Sequence, residues 1–117
     1  KLTSDHSPVG EREDQGELTE EEAMKHPRRN EVFRDVGSRP RDARGEEFIE
    51  IRNVPGRADA AFLLCSDGLH GYFNNDAEVA ELCSEGGLEE CAESSISLAN
   101  QRGGKDNITA VVIEVVA

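Results

Sequence analysis

Two aspartates stand where apolar runs meet polar turns. Asp67 follows Ala61-Phe62-Leu63-Leu64-Cys65-Ser66 and precedes Gly68-Leu69. Asp106 follows Gly103-Gly104-Lys105 and precedes Asn107-Ile108-Thr109-Ala110-Val111-Val112-Ile113. One carboxylate ends a strand pattern and the other begins one. If the strands are antiparallel neighbours, the finish of the first meets the start of the second and the acids face each other. Carboxylates held close repel unless they share a proton or a cation. The pair therefore reads as half of a site for a hard divalent ion, which takes oxygen ligands. Each acid also has a plainer reading, because Asp-Gly is a turn signal and Asp106 suits an Asx turn before a strand. No Ser, Cys or His stands in a triad arrangement, and no catalytic side chain is assigned within the chain.

The elements that must position these acids belong to a small acidic chain. Its 117 residues fit one domain with a modest core. Hydrophobic residues make up 36%, charged residues 32%, and the net charge is −12. A field of that sign repels phosphate-rich polymers, which sets nucleic acid aside as a partner. Residues 1–60 hold 11 basic and 15 acidic side chains, whereas residues 61–117 hold 2 and 10. The arginines thus gather early, with Arg28, Arg29, Arg34, Arg39, Arg41 and Arg44 in one stretch. They read first as a solvated loop and second as a surface meeting an anionic substrate. The sequence has neither an apolar run of roughly 18 residues nor a signal-peptide pattern, so a soluble cytoplasmic protein without a membrane partner is expected. Cys65, Cys83 and Cys91 lie in apolar patterns without C-x-x-C spacing and are expected to be buried and reduced. The opening Lys1-Leu2-Thr3 reads as the interior of a longer polypeptide.

Along the chain, Ser7-Pro8 predicts a helix start and Gly16 its end. Thr19-Glu20-Glu21-Glu22 is a capping box for a short helix reaching Lys25, stopped by His26-Pro27. His26 reads as a helix-end cap rather than a proton donor. Residues 27–46 are polar and weakly periodic and predict an irregular surface segment. Phe48–Val54 alternates and predicts a strand, followed by a Pro55-Gly56 turn. Ala60–Cys65 is a continuous apolar run, the mark of a strand buried on both faces or in a sandwich core. Ser66–Tyr72 reads as a loop or tight turn, and Asp76 as the cap of a helix that Gly86-Gly87 breaks. Leu88, Cys91, Ala92, Ser95, Ala99 and Arg102 recur at helical spacing, and Gly103-Gly104 ends that helix. Ile108–Val116 is β-branched and predicts a strand.

The order strand, Ser66-Asp67-Gly68-Leu69, two helices, Gly103-Gly104-Lys105-Asp106-Asn107-Ile108-Thr109, strand resembles the C-terminal part of the metal-dependent serine/threonine protein phosphatases, the type 2C or PPM family. Leu2-Thr3-Ser4-Asp5-His6-Ser7, Gly16–Ala23 and His26-Pro27-Arg28-Arg29-Asn30 are similar to earlier stretches of its bacterial members. The resemblance covers nearly the whole chain. It implies an α+β fold, the C-terminal part of an α-β-β-α sandwich of two packed antiparallel sheets, incomplete over residues 1–117. It also implies two Mn²⁺ or Mg²⁺ ions in the complete domain and a bridging water that attacks phosphoserine or phosphothreonine. Asp67 and Asp106 would be metal ligands, Asn107 would orient the Asp106 loop, and Gly68 would stand beside them. Residues 10–44 would form the flap, with Arg28, Arg29 and Arg34 toward substrate, and residues 47–117 the metal half-site.

The family's early motifs, including its first acidic strand residue, its Asp-Gly loop and its phosphate-binding arginine, are absent. The resemblance therefore implies a phosphatase parent and a chain that is inactive alone. The substrate would be a phosphorylated protein, linked to a serine/threonine kinase, and strand exchange between copies could complete the sandwich. The alternative is a non-catalytic phosphatase-like regulatory or binding module. A third reading, a sporulation-type phosphatase, is opposed by the flap-like stretch. Asp35 and His70 could be extra ligands, with solvated loop residues the plainer reading.

Overall fold

The computed structural model describes residues 1–45, 48–84 and 86–116. The segment ends read above at 46, 47 and 117 lie outside these. The chain divides into two compact units, Lys1–Val54 and Pro55–Ala117.

The first unit opens with α1 (Pro8–Asp14), whose N-cap Ser7 accepts a hydrogen bond from the Gly10 amide at 2.9 Å. Gly16 closes the segment in the left-handed region at φ 75°, where glycine carries no Cβ penalty. The capping box at Thr19 starts α2 (Glu20–Lys25). The Glu22 amide donates to Thr19 Oγ1 at 3.2 Å, and the Thr19 amide to Glu22 Oε2 at 2.8 Å. That amide, with the Thr19 hydroxyl, holds the Glu22 carboxyl below its ordinary range. As expected, His26 caps the helix, and its Nδ1 accepts from the Arg28 amide at 3.1 Å. Val9 and Ala23 are buried where α1 and α2 pack. Residues 27–45 are irregular, as the sequence predicts.

The strand expected at Phe48–Val54 does not form. Alternation creates a strand only where a backbone ladder pairs it, and here the contacts with Leu2–His6 run through side chains, Arg52 to the Leu2 carbonyl at 3.0 Å and Glu50 to His6 at 2.8 Å. Instead the Phe48 amide turns back to the Gly45 carbonyl at 3.0 Å, and Arg41 lies over the Phe48 ring, 5.1 Å from its centroid. Ile51 is 81% exposed.

The second unit contains β1 (Ala61–Cys65), α3 (Asp67–His70), α4 (Asp76–Leu82), α5 (Leu88–Gln101) and β2 (Ala110–Glu114). β1 and β2 pair antiparallel, with Ala61 opposite Glu114 and Cys65 opposite Ala110. β2 is shorter than Ile108–Val116, although backbone bonds continue past both its ends, Ser66 to Thr109 at 3.1 Å and Val115 to Ala60 at 2.9 Å. α5 meets the expected pattern. Cys91, Ser95 and Ala99 line its buried side, and it ends at Gly103 and Gly104, both at positive φ. Leu69 and Ala99 are fully buried and pack with Phe73, joined by Leu63 and Ala110 from the inner sheet face. Burying a leucine side chain contributes about 2 kcal/mol.

Of its two readings, loop or tight turn, Ser66–Tyr72 takes the turn: α3 is a helical turn in which the His70 amide bonds the Ser66 carbonyl at 3.0 Å and the Gly71 amide the Asp67 carbonyl at 2.8 Å. Three expectations differ from the structure. The cap of α4 is Asn75, whose Oδ1 accepts from the Glu78 amide at 3.0 Å, and Asp76 is the first helical residue. Burial on both faces, one of the two readings of the β1 run, is not seen: Leu64 is 54% exposed, and on the paired strand Val111 is 50% and Ile113 46% exposed. The strand's alternation puts Phe62, Leu64, Val111 and Ile113 on one face, and no described element of the unit covers it. Finally, the cysteines are not three buried thiols. Cys83, which caps α4, and Cys91, in the first turns of α5, form a disulfide across Gly86-Gly87 with their Cα atoms 4.6 Å apart, while Cys65 is free and exposed. The spacing of eight belongs to no familiar cysteine motif, so the pairing had no signal in the sequence.

Candidate metal half-site

The antiparallel register brings the end of β1 beside the start of β2. Past the last ladder pair, the Ser66 amide donates to the Thr109 carbonyl at 3.1 Å. The Ser66 hydroxyl accepts from the Thr109 amide and donates to the Asn107 carbonyl, both at 3.1 Å. One serine thus holds three backbone groups of the loop that carries Asp106. Its position next to Asp67 was visible in the sequence, but its grip depends on a register that only the folded ladder defines.

Gly68 completes the approach. A Cβ at this position would overlap the Asn107 carbonyl oxygen and lie 3.2 Å from Asp106 Cβ. Gly68 does not have positive φ, so here glycine supplies space rather than conformational freedom. Gly68 thus meets Asp106 and Asn107, with Asp67 its neighbour in the chain, and both aspartates are exposed. Each carboxylate gives one oxygen to the following amide. Asp67 Oδ1 accepts from Gly68 at 2.9 Å, and Asp106 Oδ1 from Asn107 at 2.7 Å. These bonds fix the acids to the backbone and leave their Oδ2 atoms without hydrogen bonds among the described residues. Two carboxylates with open oxygens suit a hard cation. Among the described residues, however, no group of three or more His, Cys, Asp or Glu is placed to hold a metal. The donor set fits such an ion in part.

The remaining candidates belong to the first unit or are otherwise engaged. Arg28 makes a two-pronged contact with Glu31 at 2.9 and 2.7 Å, which holds the Glu31 carboxyl low. Arg29 is exposed, and its amide bonds the His26 carbonyl. Arg34 Nη1 lies 3.3 Å from His6 Nε2, which also meets Glu50 Oε2 at 2.8 Å. That nitrogen can donate to Glu50 or accept from Arg34, not both. Asp35 is bound by the Ser38 hydroxyl at 2.8 Å and Arg41 at 3.1 Å, which together hold its carboxyl below the ordinary range. His70 lies in α3, half-buried.

No family model matches the chain. It is 39% identical over 115 residues to the serine/threonine phosphatase stp of Listeria innocua, covering 97% of this chain and 43% of that protein. It is 34% identical over 116 residues to the serine/threonine protein phosphatase PstP of Mycobacterium tuberculosis, covering 99% of this chain and 21% of that protein. Among solved structures, the PPM Ser-Thr phosphatase MsPP of Mycobacterium smegmatis, in complex with cacodylate, matches with a TM-score of 0.79 at 30% identity. That match covers 97% of this chain and 47% of MsPP. The serine/threonine phosphatase Stp1 of Staphylococcus aureus matches with a TM-score of 0.76 at 31% identity, covering 99% and 44% respectively. The chain spans under half the length of these relatives.

Proposed function

We propose that this chain, a homologue of bacterial PPM serine/threonine phosphatases over a little under half their length, carries half of a two-metal site. In the complete domain that site would hydrolyse phosphoserine or phosphothreonine on proteins. The observation that supports this reading is the meeting of Asp67-Gly68 with Asp106-Asn107, backbone against backbone, with one oxygen of each acid left open. Asp67 and Asp106 would hold Mn²⁺ or Mg²⁺. When bound, such ions supply Lewis acidity toward water and phosphoryl oxygen. The chain's own residues do the positioning: Ser66 fixes the Asp106 loop, Gly68 admits it, and the two following amides set the carboxylates' rotamers. Arg28, Arg29 and Arg34, within the flap-like stretch at 10–44, are proposed to face the phosphorylated protein.

The rest of the setting is proposed on the same basis. A second sheet, supplied by upstream sequence, would cover Phe62, Leu64, Val111 and Ile113 and complete the sandwich; strand exchange with a second copy is the other cover. The parent would counteract a serine/threonine kinase in the cytoplasm, where the reducing pool would open the Cys83–Cys91 bond. No helix among the described residues is long and apolar enough to cross a membrane.

The test is a phosphopeptide assay with Mn²⁺ on this exact chain, alongside Mn²⁺ binding. Binding at the two aspartates without turnover is expected. Turnover at the rate of a full-length relative would refute the half-site, and absence of binding would favour a phosphatase-like regulatory module.

A further inference from the structure

We infer that Tyr72 is a positioning residue for Asp106, acting through the backbone of the loop that carries it; this rests on the metal reading above. The Tyr72 hydroxyl accepts a hydrogen bond from the Lys105 amide at 3.0 Å, one residue before Asp106. Gly103 passes the same group closely, since a Cβ there would lie 3.3 Å from the Tyr72 oxygen. The tyrosine is anchored in turn. Its ring packs on the Leu69, Phe73 and Ala99 cluster. Arg102 Nη1 donates to the Tyr72 carbonyl at 2.6 Å and to Glu78 Oε2 at 2.9 Å, and Nη2 reaches Glu78 Oε1. Glu78 Oε2 also accepts from the Asn74 amide at 2.9 Å. The segment after α3, the first turn of α4 and the end of α5 are thereby tied together beside the loop.

Asp106 stands between two pins, Tyr72 at Lys105 and Ser66 at Asn107 and Thr109. A carboxylate on a loose loop must be ordered each time it takes an ion, and a pinned one largely avoids that cost. The position needs a tyrosine rather than a phenylalanine, because the ring serves the core and the hydroxyl serves the loop.

Tyr72→Phe keeps the ring and removes the acceptor. In the ¹⁵N-labelled full chain, Lys105 amide exchange should accelerate about tenfold, the order of one lost hydrogen bond, while the Ser95 and Ala99 amides stay unchanged. The Mn²⁺ concentration that broadens the Asp67 and Asp106 amides should rise severalfold. Arg102→Lys, which keeps the charge and loses the planar fork, should move both readouts in the same direction by less. Unchanged Lys105 exchange, or an unchanged Mn²⁺ titration, overturns the inference alone. No Mn²⁺-dependent broadening at either aspartate in the unsubstituted chain overturns the metal reading together with it.

Discussion

Gly68 and Asn107 meet backbone to backbone, with the Asn107 carbonyl in the space that a Cβ on residue 68 would fill. That contact sets the spacing between α3 and the Asp106 loop, and neither partner is a flexible side chain that could swing aside. Gly68→Ala should therefore destabilise the chain by about 2 kcal/mol, as overpacking does, and displace the Asp106 and Asn107 amide resonances. Urea denaturation and a ¹⁵N correlation spectrum check both. A variant as stable as the parent chain with an unmoved loop would contradict the contact.

Asp67→Asn and Asp106→Asn should separate binding from folding. Both side chains are exposed, so stability should move by no more than about 0.5 kcal/mol. Mn²⁺ affinity should fall at least roughly tenfold in each, since loss even of a group that supports a ligand costs that much. Calorimetric titration beside thermal melting reads the two effects apart. Equal affinity in either variant would remove that residue from the ligand set.

The Cys83–Cys91 bond closes a loop of eight residues. Chain-entropy reasoning for a loop of that size gives a stabilisation of about 2.5 kcal/mol. Reduction, or Cys83→Ser with Cys91→Ser, should lower the urea midpoint accordingly. Alkylation of the unreduced unfolded chain should label only Cys65. Labelling of all three would show that the bond does not form in solution.

The Arg102 guanidinium, followed by the Asn74 amide, holds the Glu78 carboxyl below its ordinary 4.5. A depressed folded-state pKa gives stability that is present above the unfolded value and lost as pH falls through the folded one. Glu78→Gln should therefore be less stable than the parent chain at pH 7, and the gap should close as pH falls below the ordinary 4.5. Urea midpoints across that range measure it, and a gap independent of pH would sever Glu78 from Arg102.

How much of this could be read from residues alone varied with the range of the interaction. The capping box at Thr19, the stop at His26 and the α5 stripe ending at Gly103-Gly104 are local devices and formed as written. Asp67 and Asp106 were singled out by neighbours one or two positions away. What failed was non-local. Phe48–Val54 has the alternation of a strand but no ladder among the described residues, and of the two readings of the β1 run, doubly buried or sandwich core, the first fails on its open face. Gly68 carried the signature of a turn yet answers to a carbonyl far along the chain, and the roles of Ser66 and Tyr72 emerge only once that carbonyl's loop is in place.

The ladder that ends beside the Asp67 and Asp106 segments joins Cys65 to Ala110, 45 positions apart. Closing such a span costs loop entropy before any pair returns it. A cation held by both acids would have no two-pronged grip on the unfolded chain. It would act as a latch on the finished structure, retarding unfolding far more than it hastens folding.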